Sequence, residues 1–265
     1  MLRSTAKASL RCARDAGATV AGLLSEAYTT TAAVTRYLDG FSAETPRLSR
    51  VPAPRRHDTP VLLVHGLCAN KSYWAPLENQ LLADGHTVCS VNYNWLNSTV
   101  ADCGRHVADD AARLLEVTGA DSLHVVGHSL GGVVAKWAMH HTDLAHLVRT
   151  GVSLGSPHRG APLAAIPASP LVPLLGSLIG ELRPGHPALD EQDAPLPAGV
   201  NWLTVGGGLD VLVPAARAAL PGQRPGVTEH HTFDHLGHIA MVTHRQVTRL
   251  VRNQLAGAAA DLAAA

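Results

Sequence analysis

Aromatic side chains are scarce in this 265-residue chain: they make up 4% of it, and two are phenylalanine. A core must therefore be built mainly from valine, leucine and alanine, which the hydrophobic content of 46% allows. An excess of charge of either sign is also missing. The 21 basic residues balance 21 acidic ones, which excludes a nucleic-acid binder that works by neutralising phosphates. No apolar run is long enough to span a bilayer. Cysteine is sparse as well. Cys12, Cys68, Cys89 and Cys103 form no CxxC pair; buried free thiols are the plain expectation, and a disulfide among the last three stays open. What the chain does have is histidine, 16 copies of it, so no single one earns a role without a positional argument. The length suits one large α/β domain or two small ones.

Residues 1 to 56 look unlike the rest. Leu10, Ala13, Gly17, Val20, Leu24, Tyr28, Val34 and Leu38 recur at three- and four-residue steps, the spacing of an amphipathic helix or two. Arg3, Lys7, Arg11 and Arg14 precede a short apolar stretch, Ala16 to Leu24, as in a signal peptide. Asp15 and Glu26 flank that stretch and no clear cleavage site follows, which favours a helix packed on the main domain or lying on a membrane surface. The run Pro52 to Pro60, PAPRRHDTP, reads as an irregular linker.

From Pro60 strands alternate with helices. PVLLVHG, Thr87 to Val91, SLHVVG, Leu147 to Ser156, Asn201 to Gly207 and Val227 to Phe233 read as strands. Trp74 to Leu82, Val100 to Val117, Gly131 to His141 and Ile239 to Leu255 read as helices, the second with Val107, Ala111, Leu114 and Leu115 on one face. Such alternation predicts a mostly parallel sheet covered on both faces. Between Gly160 and Gly199 the rhythm breaks. That segment holds eight prolines, with an apolar LVPLLGSLIGEL, Leu171 to Leu182, in the middle. A structureless connection of this length is uncommon and usually functional, so it is expected to act as a cover over one end of the sheet, with Leu171, Leu174 and Leu178 lining an apolar substrate pocket; the alternative is a static surface excursion packed elsewhere.

The chemistry centres on GHSLG, Gly127 to Gly131. It fits G-x-S-x-G between a strand and a helix, where the serine sits on a sharp turn and its hydroxyl projects at the carboxyl edge of the sheet. The alternative is a glycine-rich packing turn with an idle serine. Ser129 as nucleophile needs a base, and the base needs a group to hold its ring. On such a fold the order along the chain is serine, acid, histidine. Asp210 follows the strand NWLTVGG on a glycine-rich turn and is the expected acid; Asp190, Glu191 and Asp193 precede that strand and fit less well. His230, His231, His235 and His238 crowd the region after the last strand. His238 fits the loop before the final helix best, with His235 as the alternative. A zinc cluster is a third use for so many histidines, but no Cys or Glu partner has a recognisable ligand spacing. Backbone amides of Leu67, after His65-Gly66, and Leu130, after Ser129, are the expected oxyanion donors.

VLLVHGL, GHSLGG, VSLGSPHRGAP and GGLDVLVP, in that order, resemble sequence blocks of the bacterial triacylglycerol lipase/esterase-like families of the α/β-hydrolase superfamily. The resemblance runs from about Pro60 to Val251. It implies the α/β-hydrolase fold, with a mostly parallel central sheet, helices on both faces and a proline-rich lid-like insertion. It also implies cofactor-free hydrolysis of lipid-like or short- and medium-chain carboxylic esters through a Ser-His-Asp triad and an acyl-enzyme. The chain then divides into an N-terminal helical segment and linker (1–56), an α/β-hydrolase domain (57–256, with the insertion at 161–199) and an Ala-rich tail (257–265). Expected partners are an ester or lipid substrate and a lipid interface, with no nucleic acid and no cofactor; the location favoured is cytoplasmic or membrane-peripheral. Some related lipases bind structural calcium, and no pair of acids here is placed clearly enough to carry that over. An acyltransferase using the same triad, or a non-catalytic binding protein on the same scaffold, are the alternatives.

Overall fold

A computed structural model describes residues 18–27, 31, 47–51, 57, 59–96, 98–165, 177–222 and 228–263. Within them lies a seven-stranded sheet: β1 (Arg47–Ser49), β2 (Val61–Val64), β3 (Val88–Ser90), β4 (Leu123–His128), β5 (Val148–Leu154), β6 (Asn201–Gly207) and β7 (Thr228–Phe233), in the spatial order β1-β3-β2-β4-β5-β6-β7. Every pairing is parallel except β1 with β3. The sequence reading has no strand at 47–49, because three residues carry too little alternation to register. The order reverses direction at β2, which pairs with both β3 and β4, so the carboxyl ends of β2 and β4 flank a crevice of the kind where open α/β sheets bind ligands.

Strand side chains divide between two cores. Leu62 and Val64 of β2, with Val125 of β4 and Trp202 of β6, join a cluster that includes Val107, Ala111, Leu114 and Leu115 of helix α3 (Val100–Thr118) and Val133, Val134 and Ala138 of α4 (Leu130–His141). Val61 and Leu63, with Val126, Leu203 and Val205, pack on the other face against Leu77 and Leu81 of α2 (Ala75–Ala83) and Val247, Val251 and Leu255 of the closing helix Arg245–Ala263. Alternate residues thus feed opposite faces, as the strand period of two requires. A capping box starts α3: Thr99 accepts from the Asp102 amide at 3.1 Å, and Asp102 accepts from the Thr99 amide at 3.1 Å.

Three features differ from the sequence reading. The closing helix begins at Arg245, because Ala240–Val242 first form a 3-10 turn. Helix α1, residues 18–27, does pack on the main body but turns the other face toward it. Val20 and Leu24 of the expected apolar stripe are 57% and 66% exposed. Gly22, with Glu26 beside it, faces inward instead, and the remaining stripe residues lie outside the described residues. The second half of the insertion, 177–200, lies packed against α3 and α4. Glu181 accepts from the Val100 amide at 2.7 Å, and the Gln192 side chain donates to the Val133 carbonyl at 3.3 Å. The buried Lys136 ammonium donates to the carbonyls of Glu191 and, at 2.8 Å, Ala194. Cys68, Cys89 and Cys103 are all free thiols.

Candidate active site

Ser129 follows β4 directly. Its backbone has φ 53° and ψ −124°, a left-handed conformation that costs a non-glycine residue strain and marks a sharp strand-to-helix turn. The turn is held by the Ser129 amide, which donates to the Leu154 carbonyl of β5 at 2.9 Å. The neighbouring glycines are there for contact distance. A Cβ on Gly131 would lie 2.1 Å from the Val64 carbonyl oxygen, and one on Gly127 would lie 2.5 Å from the Gly132 nitrogen. Any side chain at either position would push the first turn of α4 away from the ends of β2 and β4. That close seat sets the start of α4 against Val64 and His65, and a Cβ on Gly66, the residue before Leu67, would lie 2.9 Å from the Ser129 Cβ.

Asp210 sits on the turn after β6 and is 4% exposed. Its Oδ1 accepts from the amides of Leu212 at 3.0 Å and Val213 at 2.7 Å. Its Oδ2 lies 2.6 Å from Nδ1 of His238, itself 6% exposed. Nδ1 therefore carries the proton, and Nε2 is left as the basic nitrogen of the neutral ring. Gly155, at φ 57° just past β5, makes room for this pair: a Cβ there would lie 3.2 Å from His238 Nδ1 and 3.3 Å from Asp210 Oδ2. His235, the other candidate base, has its ring against Phe233 and His244.

His128, the residue before Ser129, joins the two halves. Its Nε2 donates to the His238 carbonyl at 3.0 Å, and the two rings stand 4.8 Å apart. Complete burial pushes the His128 pKa well below 6.5, with the nearby His238 adding to the shift, so it stays neutral and donates from Nε2. Tyr73 packs its ring on His128 and donates its hydroxyl to the Ile239 carbonyl at 3.0 Å. Burial raises the Tyr73 pKa, and so do the charges of Glu26 and Asp210, which keeps that donor protonated. Among the described residues no hydrogen bond links the Ser129 hydroxyl to His238, and such contacts commonly close only around substrate.

At the start of the crevice, His65 stacks on Tyr93 at 4.2 Å and bonds the Gly66 carbonyl through Nδ1 at 2.9 Å. Burial lowers its pKa to about 4, so it is a neutral prop for the Leu67 loop. His158 of the SPHRG run is also a prop. It is buried and bonds the Gln192 side-chain oxygen at 2.7 Å, tying that run to the insertion. Leu178 is fully buried in the α3/α4 core, so no substrate reaches it in this conformation. Leu171 and Leu174 lie outside the described residues. Sequence reasoning did not single out Tyr73, Gly155 or the role of His128. The last two had a faint signal, standing inside GHSLG and VSLGS.

A model of the alpha/beta hydrolase fold matches residues 59–179. A triacylglycerol lipase of Pseudarthrobacter phenanthrenivorans is 29% identical over 113 residues, covering 40% of this chain and 35% of its own length. A protein of Variovorax paradoxus whose name, RutD, carries an unproven carbamate-hydrolase assignment is 35% identical over 79 residues, covering 28% of this chain and 30% of its own. The chain thus spans about a third of the length of the curated relatives it matches. Among solved structures, the mature lipase BlEst2 of Bacillus licheniformis superposes with a TM-score of 0.66 at 19% identity, covering 81% of this chain and 98% of that one.

Proposed function

We propose that this chain, which has the α/β-hydrolase fold, is a serine hydrolase of carboxylic esters, with Ser129 as nucleophile, His238 as base and Asp210 as the acid. The observation that carries the reading is the 2.6 Å contact between His238 Nδ1 and Asp210 Oδ2, beside a serine held at φ 53° on a strand-to-helix turn. Asp210 already accepts two backbone amides through Oδ1, so its orientation is fixed before substrate arrives.

The reaction follows from that arrangement. His238 Nε2 takes the Ser129 proton as Oγ attacks the ester carbonyl. The amides of Leu67 and Leu130 donate to the oxyanion, and Asp210 stabilises the imidazolium. The imidazolium protonates the departing alkoxide, which leaves as alcohol. Water then attacks the acyl-serine, giving its proton to His238, and the carboxylic acid departs as Ser129 recovers its hydrogen. Lipid-like or short- and medium-chain esters are the proposed substrates, at a site open to a lipid interface. The likeness to RutD supports a second reading, carbamate cleavage by the same residues. There the same attack expels the alkoxide of a carbamic ester, protonated by His238, and leaves a carbamoyl-serine that water cleaves to a carbamic acid, which breaks down to amine and carbon dioxide.

The test is labelling by a fluorophosphonate, together with a chain-length series of p-nitrophenyl esters and a carbamate. Wild type should label once, at Ser129, and hydrolyse the esters. Ser129→Ala should lose both. Asp210→Asn should lower kcat by about three to four orders of magnitude with KM little changed, since the ring would be held in the wrong tautomer. Labelling of Ser129→Ala at the wild-type rate, or turnover of the carbamate alone, would overturn the esterase reading.

A further inference from the structure

The loop carrying His238 is held from outside the hydrolase core by helix α1. Glu26, on that helix, accepts the Ile239 amide through Oε1 and the Ala240 amide through Oε2, each at 2.7 Å. These amides belong to the two residues immediately after His238, and more than 200 positions of sequence separate them from Glu26. We propose that Glu26 is a positioning residue for His238, and that α1 is in this sense part of the catalytic apparatus; the proposal rests on His238 being the base.

Three observations carry it. The first is that the contact is too close for side chains on either partner. A Cβ on Gly22 would lie 1.8 Å from the His235 carbonyl oxygen, and one on Gly237 would lie 2.6 Å from the Glu26 carboxyl carbon. Glycine on both sides lets α1 lie directly on the backbone of 235–240.

The second is the polarity of the helix. Residues 19, 22, 25 and 26 (Thr19, Gly22, Ser25 and Glu26) are buried or half-buried, whereas Val20, Leu23 and Leu24 are 57%, 57% and 66% exposed. Among the described residues of α1, the large apolar side chains thus lie on the exposed face. The charge-assisted hydrogen bonds of Glu26 to two backbone amides tie the inward face to the 239–240 backbone.

The third is that Glu26 completes a clamp. The Ile239 carbonyl is taken by Tyr73, the His238 carbonyl by His128, and the His238 ring by Asp210. The chain at 234–239 forms no helix or strand of its own. Without Glu26 the amide side of the loop would lose its two acceptors, and the imidazole could swing while Asp210 still held Nδ1. Displacements of about 1 Å at a reacting group can cost about a hundredfold in rate.

The experiment compares full-length wild type with Glu26→Ala, Glu26→Gln and, as a control on the exposed face of the same helix, Leu24→Ser. Expected for Glu26→Ala is a fall of about ten- to hundredfold in kcat on p-nitrophenyl butyrate, with KM changed by less than about twofold. Ser129 labelling by fluorophosphonate should slow by the same factor. Glu26→Gln keeps one acceptor oxygen but turns an NH2 group toward a backbone N–H, so it should fall between. Leu24→Ser should match wild type. If Glu26→Ala does not fold, Glu26→Gln and Gly237→Ala, whose new Cβ meets the carboxylate from the other side, carry the test, each with a kcat loss of more than about twofold at unchanged KM. A folded Glu26 variant with kcat within about twofold of wild type overturns the proposal while leaving the hydrolase reading intact. So does a loss that follows only the thermal transition and disappears on cooling. A wild type that fluorophosphonate does not label at Ser129 overturns both.

Discussion

His128 donates its Nε2 proton to the backbone carbonyl of His238 at 3.0 Å. The residue that precedes the candidate nucleophile therefore holds the loop of the candidate base. The strand-to-helix turn and the histidine loop are joined by a bond that neither Ser129 nor the His238 ring makes. Because burial keeps His128 neutral, the bond persists across the working pH range.

Replacing His128 by Phe keeps the ring volume and removes the donor. The His238 carbonyl is then left without its partner in a buried site, at a cost of about 1–3 kcal/mol. The expected outcome is a drop in kcat of about tenfold, with far-ultraviolet circular dichroism unchanged. Steady-state kinetics on a short ester measure it. A His128→Phe enzyme with wild-type kcat would show that the two loops hold their geometry independently.

Gly131 tests the seat of α4. The Cβ of Gly131→Ala would sit 2.1 Å from the Val64 carbonyl oxygen, and that neighbour is backbone, which cannot rotate away. Overpacking of this kind costs about 1–3 kcal/mol. The helix must shift away from β2, which separates the Leu130 amide from the Leu67 loop. Activity should therefore fall further than the loss of stability explains, chiefly in kcat. Equal activity per folded molecule in Gly131→Ala would mean that the two amides do not act together.

How much of this was legible in the sequence depends on where each partner lies. The strands PVLLVHG, SLHVVG and NWLTVGG were readable because both sheet faces are buried, so apolar residues run without a break. Ser129 and Asp210 were readable because the turn chemistry around them is local. It is His238 whose ring meets Asp210, a choice among four nearby histidines that only loop position could suggest. Tyr73 and Glu26 were not readable. Both act on backbone atoms of residues 239 and 240, more than 160 positions away, and a backbone acceptor or donor leaves no trace in a side-chain pattern. Val20 and Leu24 of the apolar period lie on the exposed face of α1, and the face toward the hydrolase body carries Gly22 and Glu26, which an apolar period does not register.

Composition also misdirects at Leu178. The sequence reading has it lining a substrate pocket. In the structure it is 0% exposed and belongs to the core that α3 and α4 share with the short helix Ser177–Glu181. Leu178→Ala should cost about 2–5 kcal/mol of stability, as for other buried leucines. Ester chain-length preference should not change in the folded fraction. Chemical denaturation and a p-nitrophenyl ester series decide. A stable Leu178→Ala protein that selectively loses long-chain activity would return this side chain to the substrate pocket.

The buried histidines set how the fold responds to acid. Burial lowers the pKa of His65 to about 4, and that of His124 and His158 to about 3, from 6.5. For His124 the nearby His86, Arg149 and His57 add to the shift. His128 moves in the same direction. In the unfolded chain these imidazoles take up a proton near pH 6.5, whereas in the folded protein His65, His124 and His158 resist until about pH 4 or about pH 3. Between those limits the unfolded state binds more protons, so stability is full above about pH 6.5 and falls as the pH drops. Each such group contributes a slope of up to about 1.4 kcal/mol per pH unit. The thermal midpoint should therefore fall steeply from about pH 6.5 to about pH 4.5. His124 lies at the amino end of β4, away from Ser129, and its buried Nδ1 has no hydrogen-bond partner among the described residues. His124→Phe removes one titrating ring there while keeping its bulk, and should flatten the acid limb without lowering activity near neutral pH. Thermal melts of both proteins across this range measure the effect. A wild-type midpoint that stays constant, or a His124→Phe limb as steep as that of wild type, would mean that these rings gain protons in the folded state as readily as in the unfolded one.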